Sequence, residues 1–135
     1  MPQIAFSRRI WHHFKEMEKK ASGFKWVVNE EILQKMVEVI RREVDPEMII
    51  MFGSRAKGEA RDDSDLDLIV IEKEAFRDDL KRFQDLFKIE MALYGIDVPT
   101  DILLYSREEV VKYRDSINHV LARGLREGKV LYERP

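Results

Sequence analysis

The sequence predicts an α+β fold, a small mixed β-sheet flanked by helices. Three observations lead there. The runs Met48–Phe52, Leu66–Ile71 and Val98–Tyr105 are short and apolar, have strand length, and are bounded by glycine, proline or aspartate. Longer segments between and around them place apolar residues every three or four positions, the period of a helix with one buried face. At 135 residues the chain is long enough for one domain with a real core, and it shows no internal repeat, low-complexity tract or linker.

Composition narrows the function classes. No window approaches the roughly 18 consecutive apolar residues of a membrane span. The N-terminus lacks the long apolar stretch of a signal peptide, so cytoplasm is the default expectation. Cysteine is absent, which excludes disulfides and thiolate metal sites. Charged residues make up 37% of the chain while Asn and Gln are scarce, a balance that thermophilic proteins share. The net charge of −2 is uneven, because residues 1–28 hold six Lys/Arg against two Glu. Such a basic arm can touch nucleic acid or an acidic partner, but the overall balance is unlike that of a dedicated nucleic-acid binder.

Taken in order, residues 7–21 form the first expected helix, with Ser7 as cap and Gly23 as stop. Phe6, Ile10, Phe14, Met17 and Ala21, with Trp11 beside them, make one apolar stripe. The stripe packs on its own domain or docks another chain. His12-His13 point in different directions on a helix and do not read as a metal pair. A second helix runs from the cap Asn29 to about Val44, burying Ile32, Leu33, Met36, Val37 and Ile40, and Asp45-Pro46 stops it. Residues 75–94 form the longest helix, with Phe76, Leu80, Phe83, Phe87 and Tyr94, reinforced by Leu86 and Met91, as its expected core face. Ser106 to Glu109 carries a capping-box pattern before a short helix. Asp115 or Ser116 caps the last helix, whose core face is Ile117, Val120, Leu121 and Leu125. Gly128 ends it before a terminal strand or extension, Lys129–Tyr132.

The chemistry concentrates in residues 48–72. Asp65 and Asp67 lie two apart at the start of a strand, so they point to one face. Two carboxylates that close repel unless a cation lies between them. Mg²⁺ suits them, because it takes hard oxygen ligands and binds through one or two carboxylates plus substrate phosphates. Gly53 lets a polyphosphate approach the backbone, and Ser54 adds a hydroxyl donor. If Ser54 to Lys57 forms a helical turn stopped by Gly58, its N–H groups face the phosphate, with Arg55 and Lys57 as charge partners. Read singly, Gly53-Ser54 is an ordinary turn, Asp65 a strand-start cap and Asp67 an exposed strand position. On the third strand, Asp101 is an acid where a face would otherwise be apolar, and a buried lone carboxylate needs a partner or a metal. Asp97 is the competing acid, although its place just after Gly95 suits a turn. Asp62 and Asp63 shape the connector.

Gly-Ser, ten residues from Arg55 to Ser64, then Asp-x-Asp resembles the signature of the DNA polymerase β-type nucleotidyltransferase superfamily, especially its minimal branch. That branch includes antitoxins paired with HEPN-domain toxins. The resemblance is densest over residues 48–71, reaches more weakly through Asp101 to the ending GKVLYE, and leaves out residues 1–28. It divides the chain into a basic helical extension, 1–28, and a minimal nucleotidyltransferase domain, 29–135. It implies that Asp65, Asp67 and a third acid, matched by Asp101, hold two Mg²⁺ ions and the triphosphate, with Asp101 also as general base. It further implies transfer of AMP from ATP to a hydroxyl, on a HEPN toxin as partner. A non-catalytic antitoxin that neutralises its partner by binding, and transfer to a small molecule or an RNA end, are the alternatives. Self-association stays open.

Overall fold

The computed structural model describes residues 28–59, 65–116 and 119–135. The expected helix at 7–21, with its stripe and His12-His13, lies outside them, as do Asp62, Asp63 and Ile117. Helix α1 (Glu30–Glu43) starts where Asn29 Oδ1 accepts the Ile32 N–H at 2.9 Å, with Glu30 and Glu31 in its first turn and Arg41 and Arg42 in its last. This charge order suits the helix dipole. Strand β1 (Pro46–Phe52) follows, then β2 (Leu66–Glu72), helix α2 (Asp79–Leu93), β3 (Thr100–Ser106), α3 (Arg107–Tyr113), α4 (Val120–Glu127) and β4 (Lys129–Glu133).

The four strands form one sheet in the order β3-β2-β1-β4. β1 pairs antiparallel with β2 and β4, whereas β2 and β3 run parallel. The sheet is therefore mixed, as expected, and α2 is the crossover that a parallel pair requires. Alternation along the strands divides the core into two layers. Ile49, Met51, Leu66, Leu68, Val70, Ile102 and Leu104 face α1 and α2, where they meet Met36, Ile40, Leu86, Ile89 and Leu93. Ile50, Ile69, Ile71 and Tyr105 face α3 and α4, where they meet Leu121, Val110 and Tyr113. No helix among the described residues is long and apolar enough to cross a membrane.

Two helices differ from expectation. α2 begins at its cap Asp78, which accepts the Lys81 N–H at 2.9 Å, rather than at residue 75. Of the face expected to be buried, Leu86 points inward and Phe76 packs against the core. The buried face of the helix itself is completed by Ile89 and Leu93 with Arg82, Asp85 and Glu90 rather than by aromatic residues. Leu80, Phe87, Met91 and Tyr94 are exposed. α2 carries two apolar stripes, and the crossover geometry selected the aliphatic one. At the last helix the cap is His119, whose Nδ1 accepts the Leu121 N–H at 3.1 Å, and not Asp115 or Ser116. An imidazole nitrogen there does the work of the usual oxygen. The capping box of α3 is present as read, with Ser106 and Glu109 bonded reciprocally.

The inward charges of α2 carry a pH dependence. Lys81 Nζ donates to Asp85 Oδ1 at 2.7 Å. Burial, then the hydrogen bond and the negative charge of Asp85, push Glu72 from 4.5 up to about 8, against the pull of Lys81 and Lys88. Glu72 is thus a proton donor to Asp85 in the folded chain at neutral pH. The unfolded chain releases that proton, so this pair costs stability progressively as pH rises from 4.5 to about 8. Glu72→Gln keeps a donor that cannot ionise. Chemical denaturation should find the variant gaining on the parent across that window and more stable at its alkaline end. A parent–variant difference that stays constant with pH would show that Glu72 and Asp85 share no proton.

Candidate active site

The acids lie at the start of the parallel pair. Leu66 N–H donates to Pro99 O at 2.8 Å and the Thr100 hydroxyl to Val98 O at 2.8 Å, which pins the first residues of β2 and β3 side by side. In the resulting register Asp67 lies directly opposite Asp101. Neighbouring strands are about 4.8 Å apart and residues in register share a face. Both carboxylates therefore emerge on the α3/α4 side, on the face of Ile69 and Leu103. Asp65 immediately precedes β2, two residues from Asp67, and is half-buried. Asp101 is only 6% exposed, whereas Asp97 is exposed in the turn after α2. Of the two acids that the sequence offered as the third, Asp101 is in register with Asp67 and Asp97 is not.

The Gly-Ser connector meets these acids from β1. Phe52 pairs with Asp67, and Gly53 follows with φ +76°, in the left-handed region that favours glycine. A β-carbon on Gly53 would overlap Asp67 Oδ2. Residues 54–57 then make the expected helical turn. Lys57 N–H reaches Gly53 O at 3.2 Å, and the turn ends in a Schellman arrangement, with Glu59 N–H on Ser54 O at 2.9 Å and Gly58 N–H on Arg55 O at 3.5 Å. Gly58, at φ +72°, supplies the left-handed residue that this ending needs. The first N–H groups of such a turn have no carbonyl within the turn to bond. We expect Gly53→Ala to bind nucleotide at least about tenfold more weakly, since forcing an alanine into this backbone region costs on the order of 1–3 kcal/mol before any movement of Asp67. Calorimetric titration with ATP and Mg²⁺ checks it, and unchanged affinity would show that neither the turn nor Asp67 needs the glycine.

The two cations of the turn, Arg55 and Lys57, diverge. Lys57 lines a cleft of about 180 Å³ formed by Phe52, Gly53, Val120, Arg123, Gly124 and Glu127, beside the Asp67–Gly53 contact. Its Nζ is 3.8 Å from Glu127 Oε2, and both side chains are about half exposed, so the pair is weak and separable. Arg55 instead lines a separate hollow with Val28, Asn29, Glu30, Leu33, Met51 and Gly58, at the start of α1. Arg123 is the cleft residue that sequence reasoning missed. It lies on α4, some seventy residues from the connector, and nothing local distinguishes it from any exposed helical arginine.

The donor set fits Mg²⁺ in part. Paired carboxylate oxygens are the hard ligands this ion takes, and the space in front of Asp67 is one that a side chain at Gly53 would fill. Among the described residues no three acidic or imidazole side chains are disposed to hold a metal by themselves. Mg²⁺ bound here would complete its shell with phosphate and water oxygens, its usual habit in phosphoryl-transfer sites.

A mixed sheet presenting two register-paired acids beside a Gly-Ser turn defines the nucleotidyltransferase type of fold. The chain belongs to the family described as Polymerase beta, Nucleotidyltransferase, whose model matches residues 34–135. Among the solved structures that share its fold are two of low sequence identity. One is a toxin–antitoxin crystal structure with AMP-PNP, 22% identical, covering 79% of this chain and 75% of that one at a TM-score of 0.52. The other is a nucleotidyltransferase described as putative in its own structure, from Sulfolobus solfataricus, 18% identical, covering 78% and 80% at a TM-score of 0.53. No curated protein matches the sequence.

Proposed function

We propose that this chain transfers AMP from ATP to a hydroxyl of a partner protein, the HEPN-type toxin of a toxin–antitoxin pair. The observation that carries the reading is the register pairing of Asp67 with Asp101 beside Gly53. Residues 29–135 are the catalytic domain on this reading, and residues 1–28 an extension to it. Asp65 and Asp67 would hold Mg²⁺ together with the triphosphate, and Asp101 would add a carboxylate for a second ion. When bound, Mg²⁺ would supply charge neutralisation of the phosphates and of the pyrophosphate leaving group. Ser54, the N–H groups of its turn and Lys57 orient the outer phosphates, while Glu127 releases Lys57 as the anion arrives. Arg123 adds a second cation to the same wall. Arg55 acts from the other side of the turn. Asp101 accepts the proton of the acceptor hydroxyl as its oxygen bonds to the α-phosphorus and the bond to pyrophosphate breaks. Catalysis is then mostly positioning and charge neutralisation.

The kinship in fold with a toxin–antitoxin structure holding AMP-PNP supports both the nucleotide and the protein partner. It also supports a second reading, in which the chain neutralises its partner by binding alone. Incubation with labelled ATP and Mg²⁺, with and without the product of the neighbouring gene, separates them by intact mass. The expected result is one added AMP per partner chain, abolished by EDTA. A tight complex without added mass is the outcome that replaces transfer with neutralisation by binding.

A further inference from the structure

Helix α2 lies on the sheet face opposite the acids and turns large apolar side chains to solvent. Leu80 is 59% exposed, Phe87 48%, Met91 58% and Tyr94 37%. Phe83 adjoins them, its ring stacked on Phe87 at 6.2 Å. Along the helix these residues are spaced three, four, four and three apart, which is a palindrome centred on Phe87. A stripe of that kind is self-complementary under a two-fold axis, the condition for an interface between identical surfaces. We propose that the occupant of this face is a second copy of the chain, docked with its α2 antiparallel about an axis through Phe87.

That register places Leu80 against Tyr94 of the partner subunit, Phe83 against Met91 of the partner subunit, and Phe87 against Phe87 of the partner subunit. Antiparallel helices set opposite dipole ends together. Gln84 and Lys88 flank the stripe, and the two copies of Lys88 stand one residue to either side of the axis, a like-charge approach that weakens the dimer. The area also fits. At about 200 Å² for a large side chain, the four exposures leave roughly 400 Å² of apolar surface on each copy. Both copies together then cover about 800 Å², and the flanking side chains carry the contact toward the ~1,200 Å² at which specific interfaces begin. The dimer is thus a weak one, and its formation depends on concentration. Because α2 is remote from Asp67 and Asp101, both active sites stay open in it.

Sedimentation velocity of the full chain over a concentration series tests the proposal. A reversible monomer–dimer equilibrium is expected, and Phe87→Glu, which sets two carboxylates on the axis, should remain monomeric at every concentration with an unchanged circular dichroism spectrum. The absence of cysteine gives a second readout independent of any loss of folding. Phe87→Cys should form a disulfide-linked dimer on mild oxidation, while Glu38→Cys, on the outer face of α1, should not. A parent that stays monomeric throughout overturns the proposal. So does a dimer that survives Phe87→Glu and does not cross-link through Phe87→Cys, which would place the interface elsewhere. A parent that dimerises only after deletion of residues 1–22 overturns it as well, by showing that the N-terminal segment covers α2.

Discussion

Asp67→Asn is expected to abolish nucleotidyl transfer, by about three orders of magnitude or more, and to weaken Mg-ATP binding at the same time. Its carboxylate is opposite Asp101 across the parallel strands and against Gly53 at the end of β1, so it meets both the metal and the phosphate turn on the proposed reading. Loss of several kcal/mol of charge stabilisation corresponds to roughly that factor in rate. Asp101→Asn should separate the two effects: transfer is lost, while ATP binding largely persists, because this acid acts on the acceptor. Single-turnover rates and calorimetric affinities for the two variants are the measurement. Equal loss of ATP affinity in both would make Asp101 a nucleotide-site ligand rather than the base. Full activity in Asp101→Asn, together with loss in Asp97→Asn, would transfer the role to the turn.

Arg82→Ala is expected to cost about 3–5 kcal/mol of stability, the range for removing one partner of a buried ion pair. Arg82 is 3% exposed; it donates to Leu104 O at 2.6 Å and to Glu109 Oε2 at 2.7 Å, and its guanidinium carbon lies 4.3 Å from the centroid of the Phe76 ring. It thereby ties α2 to β3, the strand of Asp101, and to the capping box of α3. Burial pushes Glu109 up, but its hydrogen bonds from Arg82 and Ser106 outweigh that and hold it below the ordinary 4.5. The lowered value means the ionised pair stabilises the fold above pH 4.5, and that this contribution fades as acid protonates Glu109 through its folded value. Urea denaturation at neutral pH should show the full loss, and the difference from the parent should shrink in acid. Arg82→Lys should recover only part of it, since an ammonium lacks the planar fork that serves two acceptors at once. A neutral-pH loss within about 1 kcal/mol would reduce the network to the level of a surface ion pair.

Much of this molecule is legible because its signals are local. Strand alternation, the Asn29 cap, the Ser106–Glu109 capping box and Gly58 as the stop of a helical turn each depend on a few neighbouring residues, and the structure has all of them where the sequence puts them. The fold class and the family follow from the same short-range pattern, two strands joined through Gly53-Ser54 and Asp65-x-Asp67. The aromatic stripe of α2 was not legible in this way. Its period is as helical as that of Leu86, Ile89 and Leu93, and Arg82 and Asp85 on the aliphatic side look like solvent residues until Glu109 and Glu72 arrive beside them.

The sequence by itself therefore determined the elements, their caps and the pair of acids on one strand, since these rest on backbone geometry and contacts between near neighbours. Tertiary structure alone decided which stripe of α2 faces the sheet, that Asp101 stands opposite Asp67, that Arg123 reaches the Gly53 cleft, and that Glu72 keeps its proton. Each of those depends on strands and helices distant in sequence meeting in one register. Burial and charge become properties of a residue only once that meeting has removed the water around it.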